Sequence, residues 1–151
     1  MEAAVRNILF LCTGNSARSI MAEAYMNKAG AGRWRAYSAG SHPTGRTNPL
    51  ALETLSAYGV PAANPRSKSW DEFAVAGAPI MDVVVTVCDN AAGEVCPIWP
   101  TRAGKPPTKL HWSFPDPAAA PGDDAAKRAA FENVFTDIRA KIDDFLAGER
   151  G

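Results

Sequence analysis

Residues 11–19 read LCTGNSARS and lie between an apolar run and a helical pattern. Residues 5–11 are predicted to form a buried strand, because their last four members are continuously apolar. After Ser19, apolar residues recur at helical spacing until Gly30, a residue type that often ends helices. A short loop before a helix gathers unpartnered backbone N–H groups, and the helix dipole adds positive charge there. The stretch therefore predicts a cradle for a tetrahedral oxyanion. The residues expected to form it are Thr13, Gly14, Asn15, Ser16, Ala17 and Arg18.

The side chains of this loop indicate what happens to the bound anion. Cys12 ends the predicted strand, where the loop amides are expected to stabilise a thiolate and lower the Cys12 pKa. Gly14 can take a positive φ and Asn15 tolerates the left-handed region, so both suit a tight loop. Arg18 offers a guanidinium fork for two anion oxygens, and Ser19 can donate its hydroxyl to the sulfur. This combination favours attack by sulfur on a bound oxyanion over a cysteine that is only a small buried hydrophobe.

Strands and helices alternate along the rest of the chain. Further strands are predicted at residues 33–39, 81–88 and 110–114, and further helices begin after Asn48, at Ser69 and at Asp123 or Asp124. Residues 89–107 contain four prolines and no periodicity, which predicts a long loop. The alternation predicts a three-layer α/β fold, a parallel sheet with helices on both faces. Ligands bind such sheets beyond the carboxyl ends of the strands, where Cys12, Cys88 and Asp116 all fall.

Length and composition narrow the function classes. The chain has 151 residues, 16 basic against 16 acidic side chains, and three cysteines. This length predicts a single domain over residues 1–151. Balanced charge gives no support for a nucleic-acid or membrane-surface partner, and no apolar run approaches the ~20 residues of a spanning helix. Because residues 1–4 do not open a secretory signal, we expect a cytoplasmic protein. The odd cysteine count favours reduced or redox-active thiols over a disulfide framework.

Asp116 lies between two prolines, just past the last predicted strand. Displacing an oxygen from a bound oxyanion requires a proton for the leaving group, and a positioned carboxylic acid can supply it. A turn aspartate beside proline is an equally good interpretation of these residues alone.

Two cysteines accompany the loop cysteine. Cys88 ends the third predicted strand, at the same sheet edge as Cys12, and Cys96 follows eight positions later. A Cys88 thiolate can attack a Cys12 sulfur that carries the anion, and Cys96 can then move the disulfide outward. One buried cysteine and one incidental loop cysteine is the plain alternative. A zinc site of Cys88, Cys96 and His111 has poor ligand spacing, and no metal or cofactor is expected.

Residues 12–19, followed by MAEA at 21–24, resemble the active-site loop of the low-molecular-weight tyrosine phosphatase superfamily, and most closely its arsenate reductases. The resemblance implies a four-stranded parallel sheet of flavodoxin-like type. It implies Cys12 as the nucleophile, Arg18 and the loop amides as ligands of arsenate, and Ser19 as support for the thiolate. It also implies that Asp116 is the proton donor.

The segment CDNAAGEVCP, residues 88–97, resembles the pattern of the thioredoxin-coupled arsenate reductases. The resemblance implies that Cys88 and Cys96 carry oxidising equivalents to a thioredoxin-like or other thiol reductant. Ala17 stands where many relatives have a further cysteine, so that thiol cannot take part. Some relatives place potassium near the positions of Asn15, Glu23 and Ser38, although a surface glutamate and a turn serine explain the last two equally well.

Three functions remain open at this point. The first is reduction of arsenate to arsenite through Cys12, Cys88 and Cys96. The second is hydrolysis of phosphotyrosine or a small phosphomonoester through a cysteinyl-phosphate, and the third is a non-catalytic oxyanion sensor. Residues 117–119 are Pro-Ala-Ala and lack the tyrosines that flank an aryl substrate in the eukaryotic-type phosphatases. Their absence favours a small inorganic oxyanion.

Overall fold

The computed structural model describes residues 5–62, 65–88, 99–101 and 104–149. Four parallel strands form one sheet in the order β2-β1-β3-β4. The strands are β1 Arg6–Leu11, β2 Trp34–Ala39, β3 Val83–Thr86 and β4 Thr108–His111. At the carboxyl end of β1, Leu11 pairs with Ala39 of β2 on one side and with Thr86 of β3 on the other. The predicted α/β fold with a four-stranded parallel sheet is confirmed. Strand β3 is shorter than predicted at both ends, and β4 begins two residues earlier and ends three residues earlier than predicted.

Three α-helices are described, α1 Arg18–Ala29, α2 Pro49–Ala57 and α3 Asp124–Glu149. Helix α2 begins as predicted, since the Asn48 side chain accepts a hydrogen bond from the Leu50 N–H at 2.9 Å. In α3, Asp123 Oδ1 accepts from the Ala126 N–H in the same way. Gly148, the predicted stop of this helix, instead lies inside it. A glycine ends a helix by taking a positive φ, and Gly148 does not take one.

The alternation of side chains along the strands creates two apolar layers. Ile8 and Phe10 of β1 face a layer to which all three α-helices contribute buried residues. Leu9 and Leu11 face a thinner layer built from Phe73, Met81 and Trp99. Phe73 belongs to a 3-10 helix, Trp70–Phe73, whose first turn is capped by Ser69 as predicted. Helical segments therefore lie on both faces of the sheet, with the thicker layer over one of them.

None of the helices in the described part of the chain is both long enough and apolar enough to cross a bilayer.

Candidate active site

The loop between β1 and α1 turns backbone amides toward one point. The Thr13 carbonyl accepts from the His42 N–H at 3.0 Å, and the Ser16 carbonyl accepts from the Asn48 N–H at 2.8 Å. In a trans peptide the N–H points opposite to the carbonyl of the same unit. The amides of Gly14 and Ala17 therefore point into the loop, and the Gly14 N–H hydrogen-bonds the Cys12 thiol. Outward carbonyls with inward amides are the arrangement that an oxyanion cradle requires.

Asn15 determines the shape of this loop. It has a φ of 46°, and in the described part of the chain it is the one non-glycine residue with a positive φ. Its N–H donates to the Cys12 carbonyl at 3.2 Å, which closes the turn. Its buried side chain donates to Ser19 Oγ at 2.8 Å and accepts from the Lys68 N–H at 2.8 Å. The left-handed residue of the loop is therefore Asn15 and not Gly14, and its side chain holds it in that conformation.

Ser19 lies in the first turn of α1 and is completely buried. Because its oxygen accepts the hydrogen bond from Asn15, the orientation of the Ser19 hydroxyl is restricted, and its own proton remains to be donated.

Arg18 and Asp116 meet at the mouth of the loop. Arg18 Nη1 donates to the Phe114 carbonyl at 3.0 Å, and its Nη2 lies 3.9 Å from Asp116 Oδ2. The other carboxylate oxygen of Asp116 accepts from the Ala118 N–H at 3.0 Å, capping the 3-10 helix Pro117–Ala119. Asp116 is therefore a turn aspartate and also a carboxyl group held beside the arginine, so the two interpretations of its sequence position are compatible.

Cys88 lies directly against the nucleophile candidate. Its side chain hydrogen-bonds that of Cys12, and both cysteines are buried. The Thr13 N–H also donates to Cys88 Sγ, at 3.5 Å. The parallel sheet explains the contact, because β1 and β3 are neighbours and both cysteines follow their carboxyl ends.

The expectation of a lowered Cys12 pKa is wrong for this geometry. The hydrogen bond with Cys88 and burial both raise the pKa of the Cys12 thiol. The Arg18 charge and the Gly14 amide act in the opposite direction and are outweighed. The physical reason is that burial disfavours the charged thiolate and the hydrogen bond with Cys88 favours the neutral Cys12 thiol.

Two residues that support the loop from behind were not identified from the sequence. A methyl group at Gly40 would lie 2.4 Å from the carbonyl oxygens of both Cys12 and Thr13, so only glycine fits there. Lys68 is buried, and its ammonium lies 3.8 Å from Glu23 Oε1, which also accepts a short hydrogen bond from Ser38 Oγ. Gly40 could have been found from the sequence, since it follows β2 beside the end of β1. The buried position of Lys68 leaves no pattern in the sequence.

The remaining expectations concern Cys96 and metal binding. Cys96 lies outside the described residues. His111 Nδ1 lies 2.7 Å from the Thr86 hydroxyl, which joins the side chains of β3 and β4. In the part of the chain that the structure describes, no three histidine, cysteine or acidic side chains come together as a metal site would require.

The sheet order and the amide-lined loop ahead of the first helix place the chain among flavodoxin-like α/β proteins with an anion loop. Residues 7–149 match the model of the low molecular weight phosphotyrosine protein phosphatase family, and the chain belongs to this family.

Curated relatives cover nearly the whole chain. It is 39% identical over 138 residues to an arsenate reductase of Halalkalibacterium halodurans, and 37% identical over 138 residues to one of Bacillus subtilis. Each of these alignments covers 91% of this chain and 93% of the relative. Among solved structures, an arsenate reductase from Archaeoglobus fulgidus matches with a TM-score of 0.62 and 28% identity, covering 89% of this chain and 98% of that one.

Proposed function

We propose that this protein is an arsenate reductase, which reduces arsenate to arsenite with electrons from its own thiols. The observation that carries the proposal is the hydrogen bond between the side chains of Cys12 and Cys88, beside the loop of residues 13–18. A phosphatase of this family needs one nucleophilic cysteine. Reduction also needs a second sulfur that can form a disulfide with Cys12. A buried thiol in contact with Cys12 supplies that sulfur.

In the proposed complex, arsenate binds inside the loop of residues 13–18. The inward amides of Gly14 and Ala17 and the fork of Arg18 supply donors for its oxygens. The Phe114 carbonyl holds Arg18 at the mouth of the loop, so the Arg18 side chain is already oriented before the anion binds.

The first step forms a bond between sulfur and arsenic. The pKa of Cys12 is raised in the resting geometry, so we propose that the arsenate dianion takes the thiol proton as it binds. Cys12 sulfur then attacks arsenic, and one arsenate oxygen leaves as water with a proton from Asp116. Ser19, oriented by Asn15, stabilises the thiolate during the attack.

The second step transfers two electrons. Cys88 gives its thiol proton to an oxygen of the bound arsenic group and its sulfur attacks Cys12 sulfur, so the S–S bond forms while the S–As bond breaks with its electron pair on arsenic. Arsenic leaves as arsenite, and Cys12 and Cys88 share a disulfide. Cys96 then attacks Cys88 sulfur, which returns Cys12 as a thiol and leaves a Cys88–Cys96 disulfide. A thioredoxin-like dithiol reduces that disulfide. Because the cycle needs reduced thiols at its start, we propose that the single domain works in the cytoplasm.

Phosphomonoester hydrolysis is the second candidate, and family membership favours it. Cys12, Arg18 and Asp116 suffice for a cysteinyl-phosphate, which water can hydrolyse. The residues after Asp116 are small, so no aromatic side chain of the Pro117–Ala119 turn can stack on a phosphotyrosine ring. We therefore expect weak hydrolysis of simple aryl phosphates beside efficient arsenate reduction. A non-catalytic sensor would bind the anions and turn over neither.

The test is arsenate-dependent oxidation of NADPH in the presence of thioredoxin and its reductase. Cys12→Ser, Cys88→Ser and Cys96→Ser should each abolish multiple turnover. Aryl-phosphate hydrolysis should require Cys12 but survive the loss of either other thiol. Full multiple-turnover reduction by the Cys88→Ser variant would refute the relay. Mass spectrometry after one turnover without reductant should find the Cys88–Cys96 disulfide.

A further inference from the structure

A partly buried ion pair lies behind the anion loop and takes no part in the proposed chemistry. The side chain of Lys68 is 8% exposed, and its ammonium lies 3.8 Å from Glu23 Oε1. The same ammonium donates to the Arg66 carbonyl at 2.8 Å. Lysine is almost never buried to this degree without a partner, so the position of this side chain has a specific cause.

The backbone of Lys68 is tied to the loop and to Gly40, which packs against the loop from behind. Its N–H donates to Asn15 Oδ1 at 2.8 Å, and its carbonyl accepts from the Gly40 N–H at 3.0 Å. Asn15 is the left-handed residue of the loop and also orients Ser19. A displacement of the chain at Lys68 would therefore reach the loop directly through the Asn15 side chain.

The charges of the pair depend on each other. Burial raises the pKa of Glu23 and lowers the pKa of Lys68, and the opposite charge of the partner counteracts both shifts. Arg66, the next cation in this region, is engaged by Glu72 through two hydrogen bonds of 2.8 and 2.7 Å. Among the described residues, Lys68 is thus the cation in ion-pair distance of Glu23.

We infer that Lys68 is a positioning residue: its ammonium neutralises Glu23 and thereby fixes the backbone that holds Asn15 and the anion loop in their binding conformation. Without the ammonium, Glu23 would keep an unpaired charge next to Ser38 or take up a proton. In both cases the Lys68 side chain loses the contact that places its backbone. The loop would then spend less time in the shape that binds anions.

The experiment compares three variants with a matched control. Lys68→Met removes the charge and keeps the length, Lys68→Arg keeps the charge, and Glu23→Gln with Lys68→Met removes both charges. Lys109→Met changes an exposed lysine on β4 and serves as the control. Binding of inorganic phosphate is measured by calorimetry, and kcat and KM are measured for arsenate with thioredoxin.

Lys68→Met should weaken phosphate binding and raise the KM for arsenate about tenfold, with a smaller change in kcat. Lys68→Arg and the double variant should both remain within about threefold of the wild-type affinity, since neither leaves Glu23 unpaired. Lys109→Met should match the wild type. Recovery in the double variant is a result that a purely structural role of the lysine side chain would not produce.

Phosphate affinity of Lys68→Met equal to that of Lys109→Met would overturn the inference, as would a double variant that binds phosphate no better than Lys68→Met. If Lys68→Met does not fold, recovery of folding and phosphate binding in the double variant supports the inference, and its failure to recover refutes it. The arsenate assay rests on the proposed function, whereas phosphate binding does not. A wild type that binds phosphate without reducing arsenate would refute the function alone.

Discussion

Gly40→Ala should destroy the anion site without changing any residue that contacts the anion. The added methyl carbon would lie 2.4 Å from the carbonyl oxygens of Cys12 and Thr13 and 2.9 Å from the Thr13 carbonyl carbon. Gly40 cannot retreat easily, since its N–H donates to the Lys68 carbonyl at 3.0 Å and its carbonyl accepts from the Trp70 N–H at 2.9 Å. The loop must therefore move instead.

The size of the effect follows from these distances. A carbon atom and a carbonyl oxygen in ordinary contact lie about 3.3 Å or more apart, so the loop has to shift by roughly 0.9 Å. A misplacement of about 1 Å can reduce catalysis about 100-fold. Overpacking of this kind also destabilises a fold by about 1–3 kcal/mol. We expect a loss of both arsenate reduction and phosphate affinity of about 100-fold in a protein that still folds.

Calorimetric titration with phosphate, steady-state reduction of arsenate and urea denaturation measure the three quantities. Gly148→Ala is the matched control, because a methyl group there meets no atom within 4 Å and lies in α3. It should leave activity unchanged and raise stability by up to about 1 kcal/mol. A Gly40→Ala variant with wild-type phosphate affinity would show that the loop does not depend on this close approach, and the reasoning would be refuted.

Three further predictions address the thiols, the acid and the fold. Cys88→Ala should lower the pKa of Cys12, because the hydrogen bond that favours the neutral thiol is removed, and iodoacetamide should therefore alkylate Cys12 faster at pH 8 than in the wild type. Asp116→Asn should reduce aryl-phosphate hydrolysis by about 10²–10⁴-fold with little change in the KM, as measured by steady-state kinetics. Asn48→Ala should destabilise the protein by about 1 kcal/mol in urea denaturation, since the cap of the Leu50 N–H is lost.

Each of these predictions has an outcome that contradicts it. Unchanged or slower alkylation of Cys12 in Cys88→Ala would mean that the contact between the two thiols does not control the Cys12 pKa. Undiminished hydrolysis by Asp116→Asn would mean that another group donates the proton to the leaving group. Unchanged stability of Asn48→Ala would mean that other interactions stabilise the start of α2, such as the hydrogen bond from the Asn48 N–H to the Ser16 carbonyl.

Local patterns were sufficient to predict the elements and the identity of the loop. The continuous apolar residues of β1, the cap at Asn48 and the Ser69 turn all lie where the sequence predicts them, because each depends on neighbours within a few positions. The bounds of β3 and β4 were less accurate, because they depend on pairing with strands that are distant in the sequence. The end of α3 was placed too early, at Gly148.

The sequence by itself determined that Cys12 lies between a buried strand and an amide-rich loop, and that Cys88 lies just past another strand at the same edge. Only the tertiary structure decided that the two thiols touch and that Cys12 is consequently harder to ionise than the loop alone suggests. It also decided that Gly40 and Lys68 support the loop from behind. The physical reason is the sequence separation of the interacting residues. A sequence motif reflects interactions within one turn or strand, whereas a pKa or a close backbone approach depends on which atoms, distant in the sequence, are brought into contact by packing.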